Sequence, residues 1–117
     1  VTNKEIAEWG CKALINLAAD DQNRSKLGAM GACDAVTVII SNEDFTDNIV
    51  EWSLKAIINL SVLDNNRVRL RTVGACEALV SILSRHKEVS SIAVLGALAV
   101  ETMAQELLSS LRFGTAG

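Results

Sequence analysis

The feature that most constrains the fold of this chain is an internal repeat with a period of 43 residues. The segment that begins at Trp9 reads WGCKALINLAADDQNRSKLGAMGACDAVTVIIS. It aligns without a gap with the segment that begins at Trp52, WSLKAIINLSVLDNNRVRLRTVGACEALVSILS. A third copy starts at the same offset near Ile92 and then loses its similarity. A unit of this size cannot bury its own apolar residues, so each copy must pack against the next.

Within a unit the apolar residues have helical spacing. A long helix is followed by a second one from Asn23, its predicted N-cap, to Met30, where Gly31 ends it in a left-handed turn. A third helix is predicted over 32–40, before a polar loop over 41–47. No proline interrupts these helices. The predicted core side of the long helix comprises Ile6, Gly10, Ala13, Leu14 and Leu17, and in the next copy Ile49, Ser53, Ala56, Ile57 and Leu60.

Charge and hydropathy exclude several classes of partner. The net charge is −3, and neither sign is clustered. The chain therefore lacks the basic stripe of a nucleic-acid-binding protein and the polybasic cluster of a membrane-surface protein. Its longest uncharged stretch, Val89 to Val100, is shorter than the roughly 20 residues that cross a bilayer. We expect neither nucleic acid nor a membrane as a partner.

Cysteine and histidine usage argues against a metal or cofactor site. Cys11, Cys33 and Cys76 are widely spaced, and His86 is the only histidine. A zinc site needs about four clustered nitrogen or sulfur ligands, so no metal is expected. An odd cysteine count without paired spacing also argues against a disulfide framework, which favours a reducing intracellular compartment, the cytoplasm or the nucleus.

The repeated motifs resemble those of the armadillo repeat family. The pattern A-L-x-N-L-A appears at 13–18, and Asn-Arg, Gly-Ala and an apolar run follow at 23–24, 31–32 and 36–40. The second copy keeps the same register at 56–61, 66–67, 74–75 and 78–83. The resemblance covers about residues 5–105. It implies an all-α, right-handed α-solenoid whose units contain three helices, named H1, H2 and H3 in that family.

By this resemblance the whole chain, 1–117, is a single domain. An isolated H3 spans 1–19, with its helix from about Thr2 to Ala19. Complete repeats follow at 20–62 and 63–105, with the last H3 ending near Gln105. Residues 106–117 form a tail or the start of a truncated repeat.

Two departures from the family pattern bear on function. Asp34 and Glu77 stand where a proline commonly begins H2, and an acidic residue there suits the helix dipole. Importin-α-like members carry a tryptophan four residues before the groove asparagine, whereas this chain has Lys12 and Lys55. This difference argues against nuclear-localisation peptides as ligands.

The resemblance also implies a binding face, since H3 lines a concave groove in this family and its asparagine holds the backbone of an extended peptide. On an ideal helix with about 100° per residue, the residues four, seven and eight positions before that asparagine share its face. An asparagine amide can donate and accept, an indole offers a flat apolar wall, and lysine favours acidic partners. The predicted peptide-binding residues are Glu8, Trp9, Lys12 and Asn16 in one copy and Glu51, Trp52, Lys55 and Asn59 in the next.

Each of these residues also has a purely structural interpretation. The asparagines can tie neighbouring helices together, and the tryptophans can be buried between stacked H3 helices. Glu8–Lys12 and Glu51–Lys55 have the spacing of helical ion pairs, and this pairing is the lysines' expected role.

Other conspicuous residues are assigned structural roles. We expect Cys33 and Cys76 to be small core residues at the start of H2. Arg24 and Arg67 follow the predicted capping asparagines and serve helix packing or the surface. His86 ends an H2 beside two basic residues, where a cation favours the helix dipole, so no catalytic role is assigned to it.

The sequence thus predicts a non-catalytic scaffold that binds a protein or an extended peptide. The alternative is a structural module, a piece of a longer array, that self-assembles through open solenoid ends. No phosphate-binding loop, nucleophile motif or positioned carboxylate pair points to an enzyme.

Overall fold

The computed structural model describes residues 3–86 and 88–113. Within these ranges the chain is all-α, as the periodicity predicts, and contains no strand. The predicted start of the first helix at Thr2 lies outside the described residues. The helices are α1 (Asn3–Leu17), α2 (Asp21–Ala29), α3 (Ala32–Ile40), α4 (Asp47–Leu60), α5 (Asp64–Thr72), α6 (Ala75–Arg85) and α7 (Ser90–Phe113).

The short helix α2 begins two residues before the predicted N-cap. Asp20 occupies the N-cap position, and its carboxylate accepts a hydrogen bond from the backbone N–H of Asn23 at 3.2 Å. A carboxylate here satisfies a free N–H and favours the positive end of the helix dipole. The predicted capping role of Asn23 is therefore wrong, because Asp20 lies three residues upstream, at the spacing this bond requires.

The turns between the short helices follow the prediction. Gly31 has φ 99° and Gly74 has φ 94°, a left-handed backbone that residues with a Cβ rarely adopt. Each glycine is the N-cap residue of the following helix, so a turn of two residues separates α2 from α3 and α5 from α6.

The last helix is longer than predicted. α7 continues to Phe113, so the boundary expected near Gln105 falls inside it. In the first two copies a polar segment follows this position, DDQN at 20–23 and DNN at 64–66. In the third copy Glu106, Leu107 and Leu108 follow, which are good helix formers.

Helices that are equivalent in the sequence repeat pack beside one another. α4 lies between α1 and α7, while α2 contacts α5 and α3 contacts α6. Their buried residues form one continuous core, which is almost entirely aliphatic. Its largest fully buried members are Val36, Ile40, Leu54, Ile57, Leu60, Leu70, Leu79, Ile82 and Ile92.

Leu17 does not belong to this core, contrary to the prediction. Its side chain is 48% exposed, whereas Leu60 at the equivalent position of α4 is 0% exposed. The difference arises because α1 covers the side of α4 that contains Ser53 and Leu60, while none of the described helices covers the equivalent side of α1. The sequence pattern predicts the side of the long helix that is buried in α4. It does not show that this side of α1 has no helix packed against it in the described structure.

Polar side chains tie the first repeat to the second. Asn66 is fully buried, and its Nδ2 donates to the carbonyl oxygen of Arg24 at 3.0 Å. It therefore links α5 to α2 instead of capping its own helix. Arg67 donates to the carbonyl oxygen of Ser61 at 2.7 Å and so satisfies the C-terminal end of α4. The predicted packing role of Arg67 is confirmed.

Candidate functional site

The eight predicted binding residues lie on two adjacent helices. Four belong to α1 and four to α4, and these helices share the most extensive helix contact in the described structure. Trp9, Asn16 and Lys55 are exposed, and the other five are half-buried: Glu8, Lys12, Glu51, Trp52 and Asn59.

Trp52 is the centre of this face. The Lys12 ammonium, from α1, lies 5.0 Å from the centroid of its ring, and the Lys55 ammonium, from α4 itself, lies 4.7 Å from it. Both distances are within the range of a cation–π interaction. Lys12 also forms an ion pair with Glu8 at 3.0 Å, as the spacing predicts. One indole thus gathers two cations from two neighbouring repeats.

Glu51 has a different partner from the one predicted. Its carboxylate accepts a hydrogen bond from the hydroxyl of Ser91, at the start of α7, and no ion pair joins it to Lys55 within the described residues. Lys55 lies over the Trp52 ring instead. The predicted Glu51–Lys55 pair is wrong, because the approach of α7 offers Glu51 a hydroxyl that a single-helix argument cannot include.

Trp9 and Trp52 occupy equivalent positions but different environments. Trp52 is half-buried, because the side chain of Lys12 from α1 lies against it. Trp9 is 57% exposed. Burial between stacked helices, the alternative interpretation of both tryptophans, therefore applies in part to Trp52 and not to Trp9.

The two asparagines differ in the same way. Asn59 Nδ2 donates to the carbonyl oxygen of Ile15 at 3.0 Å, which ties α4 to α1. Ile15 lies in the last turn of α1, where carbonyl groups have no partner within the helix. Asn59 thus supplies a missing bond, as the structural interpretation expects. The bond uses one N–H, and the amide has a second N–H and an acceptor oxygen. Asn16 is exposed on α1.

The thiols are held in their protonated form. Burial raises the pKa of Cys33 to about 11, and it also raises the pKa of Cys11 and of Cys76. A protonated thiol is a poor nucleophile, and the buried Cys11 and Cys33 act as small core residues. Cys33 is fully buried, as predicted, whereas Cys76 is half-buried.

His86 links two helices instead of lying free at a helix end. It is the C-terminal cap residue of α6, and its Nδ1 lies 3.1 Å from the carboxylate of Asp47, the first residue of α4. This contact joins the end of one helix to the beginning of another. The His86–Asp47 contact therefore has a structural role.

Sequence reasoning missed two exposed apolar residues that continue the face onto α7. Val94 and Leu98 are exposed, and they lie one period beyond Glu51 and Lys55. Adding the repeat period to each predicted residue would have found them. The face is therefore charged on α1 and α4 and apolar on α7.

The described residues contain neither a metal-binding group nor a membrane-spanning helix. No cluster of three or more His, Cys, Asp or Glu side chains is arranged to hold a metal ion in this part of the chain. No helix within 3–86 and 88–113 is both long and apolar enough to cross a membrane. No protein-family model, curated protein or solved structure matches the chain.

Proposed function

We propose that this protein is a right-handed α-solenoid of armadillo repeats that binds an extended peptide without catalysis. In this proposal α1, α4 and α7 are H3 helices, α2 and α5 are H1, and α3 and α6 are H2. The 43-residue repeat supports the assignment, together with the side-by-side packing of equivalent helices. Because the cysteine thiols are free and mostly buried, we place the protein in a reducing compartment, the cytoplasm or the nucleus.

The observation that carries the proposal is the position of Trp52 between two lysines. A peptide carboxylate that approaches the ring meets two ammonium groups, Lys12 Nζ at 5.0 Å and Lys55 Nζ at 4.7 Å from the ring centroid. The flat indole receives the apolar stem of the same peptide residue with little loss of side-chain entropy. Lys12 is paired with Glu8, whereas no ion pair is formed by Lys55 within the described residues, so the surroundings of the Trp52 ring favour an acidic residue of the peptide.

The helix spacing suits an extended ligand. Packed helices lie about 10 Å apart, and an extended chain rises about 3.3 Å per residue, so neighbouring helices contact every third residue of a peptide. In this proposal Asn16 and the remaining groups of the Asn59 amide bind the peptide backbone at this interval. Val94 and Leu98 then offer an apolar surface to the next segment of the same peptide.

Titration of Trp52 fluorescence with a defined peptide tests this function. Trp9→Phe leaves Trp52 as the only indole. The probe is a capped peptide of alternating glutamate and threonine, and the same peptide with lysine in place of glutamate is its control. We expect the acidic peptide to change the Trp52 emission and the basic one to leave it unchanged. Lys12→Ala and Lys55→Ala should each weaken binding about tenfold, which corresponds to a lost charged contact.

Lys26→Ala is the matched control variant, since Lys26 is an exposed lysine on α2, outside this face. It should bind the acidic peptide like the parent. Equal weakening by all three lysine variants would mean that net charge alone attracts the peptide. That result, or no response to the acidic peptide, overturns the proposed site.

A further inference from the structure

The long helices have two different apolar faces. We call the first the rear face; it is fully or nearly fully buried in α4 and in α7. In α1 it is open: Ile6 is 56% exposed, whereas the equivalent Ile49 of α4 is 2% exposed. The rear-face residues are Ile6, Gly10, Ala13 and Leu17 in α1, Ile49, Ser53, Ala56 and Leu60 in α4, and Ile92, Gly96, Ala99 and Met103 in α7.

The second face, which we call the front face, shows the opposite trend. It is buried in α4 and almost wholly buried in α1, but in α7 Ala97 and Val100 are exposed. The front-face residues are Ala7, Cys11, Leu14 and Ala18 in α1, Val50, Leu54, Ile57 and Ser61 in α4, and Ala93, Ala97, Val100 and Ala104 in α7.

Contacts inside the chain show that a front face packs on a rear face. Cys11 Sγ, in the front face of α1, lies 3.5 Å from Ser53 Oγ in the rear face of α4. The hydroxyl of Ser61, at the end of the α4 front face, lies 3.5 Å from Met103 Sδ in the rear face of α7. The same type of joint therefore occurs twice, α1 with α4 and α4 with α7.

We propose that the open rear face of α1 binds the open front face of α7 from a second copy of this chain. The two faces have matching sizes. In the α1–α4 joint, the front face of α1 contains the small residues Ala7, Cys11 and Ala18, and the rear face of α4 contains the large residues Ile49 and Leu60. The front face of α7 is also mostly alanine, and the rear face of α1 presents Ile6 and Leu17. Neither face contains a charged residue.

One further pair supports this partner. Trp52 packs on Lys12 of the preceding long helix. Trp9 is equivalent to Trp52, and Leu98 is equivalent to Lys12, so the proposed joint brings Trp9 of one copy onto Leu98 of the other. Both side chains are exposed in the single chain. In the proposed joint Trp9 therefore meets an apolar leucine, whereas in the joint inside the chain Trp52 meets the ammonium group of Lys12.

The joint connects two different surfaces, so it does not close by itself into a symmetric dimer. A joined pair of copies keeps one free rear face and one free front face, so further copies add in the same direction. The expected product is a head-to-tail row of chains whose mean mass rises with concentration.

Sedimentation velocity with two complementary variants tests the proposal. Ile6→Asp places a charge in the rear face of α1, and Leu98→Asp places one beside the front face of α7. Both residues are exposed, so both variants should fold like the parent. At a concentration where the parent associates, each variant alone should be monomeric, because the added charge weakens the joint by at least about tenfold. An equimolar mixture should form dimers and stop there, since Ile6→Asp retains a working front face and Leu98→Asp a working rear face.

Val38→Asp is the control, since Val38 is an exposed valine on α3, outside both faces. This variant should assemble like the parent. In Trp52→Phe, emission of the remaining Trp9 should shift to shorter wavelength as concentration rises, and Leu98→Asp should abolish the shift. A parent that stays monomeric up to about 1 mM has no such joint and overturns the proposal. Dimers of Leu98→Asp alone would mean that two rear faces pair, which overturns it as well, and so would a mixture that remains monomeric.

Discussion

Asn16 and Asn59 occupy equivalent positions in the sequence repeat but have different roles in the structure. Asn59 satisfies the carbonyl oxygen of Ile15 at the end of α1, whereas Asn16 is exposed. The role of such an amide therefore depends on whether a preceding helix presents an unpaired carbonyl group to it. One residue pattern thus yields one tie between helices and one surface residue.

Replacing each asparagine by alanine should separate these roles. Asn59→Ala leaves the Ile15 carbonyl without its partner, so it should lower the free energy of unfolding by about 1–3 kcal/mol. Asn16→Ala should change it by less than about 0.5 kcal/mol, as exposed substitutions do. Urea unfolding followed by circular dichroism measures both values. Equal losses for the two variants would contradict the assigned tie.

Leu17 and Leu60 form a second matched pair. Leu60 is fully buried, so Leu60→Ala should lower the free energy of unfolding by about 2–5 kcal/mol. Leu17→Ala should cost under about 1 kcal/mol, because nearly half of that side chain is already in contact with water. The comparison must be made at low protein concentration, where no second copy covers Leu17. A large loss for Leu17→Ala in the monomer would mean that its exposure is wrongly assigned.

At the scale of the helix, Gly10 and Gly28 show how a neighbour reverses the effect of one substitution. Gly10 lies inside α1, and an added Cβ would meet nothing within 4 Å. Gly28 lies in α2, and a Cβ there would overlap the Asn66 side chain that ties α5 to α2. Glycine is thus required at the second site and only tolerated at the first.

Alanine should therefore have opposite effects at the two positions. Gly10→Ala should raise the free energy of unfolding by about 0.5–1 kcal/mol, since alanine is the better helix former. Gly28→Ala should lower it by about 1–3 kcal/mol, since the overlap displaces Asn66 from its buried bonds. Denaturant unfolding gives the sign of each change. A stabilising Gly28→Ala would show that Asn66 can move without loss.

Some features of the helices can be predicted from the sequence, and others cannot. Periodicity and the two turn glycines predict the order of the helices and the bounds of α3, because these signals are local. The positions of Trp52 and Lys12 on one face also follow from the repeat. The bond from Ser91 to Glu51 and the exposure of Leu17 do not, because each depends on which helix lies alongside. The Asp20 cap can be inferred from the sequence, since aspartate is a preferred N-cap residue and lies three residues before Asn23.

At the scale of the whole molecule, α4 is the only long helix in the described structure with long helices on both sides. Its rear and front faces are both buried, whereas α1 lacks cover on one face and α7 on the other. In a row of repeats, the stability of each unit depends on the interfaces with its neighbours. Opening α1 breaks one such interface, whereas opening α4 breaks two.

The rates of amide hydrogen exchange should reflect the number of interfaces that each long helix forms. In dilute solution the amides of α4 should exchange most slowly, near the rate of global unfolding, and those of α1 should exchange faster through local opening. As concentration rises, the head-to-tail joint should slow exchange in α1 while leaving α4 unchanged, since α4 is already covered. Ile6→Asp should remove the slowing in α1, and Val38→Asp should retain it. Uniform exchange along the chain would mean that the molecule opens as one unit. Slowing confined to α3 or α5 would place the contact between copies on a different surface.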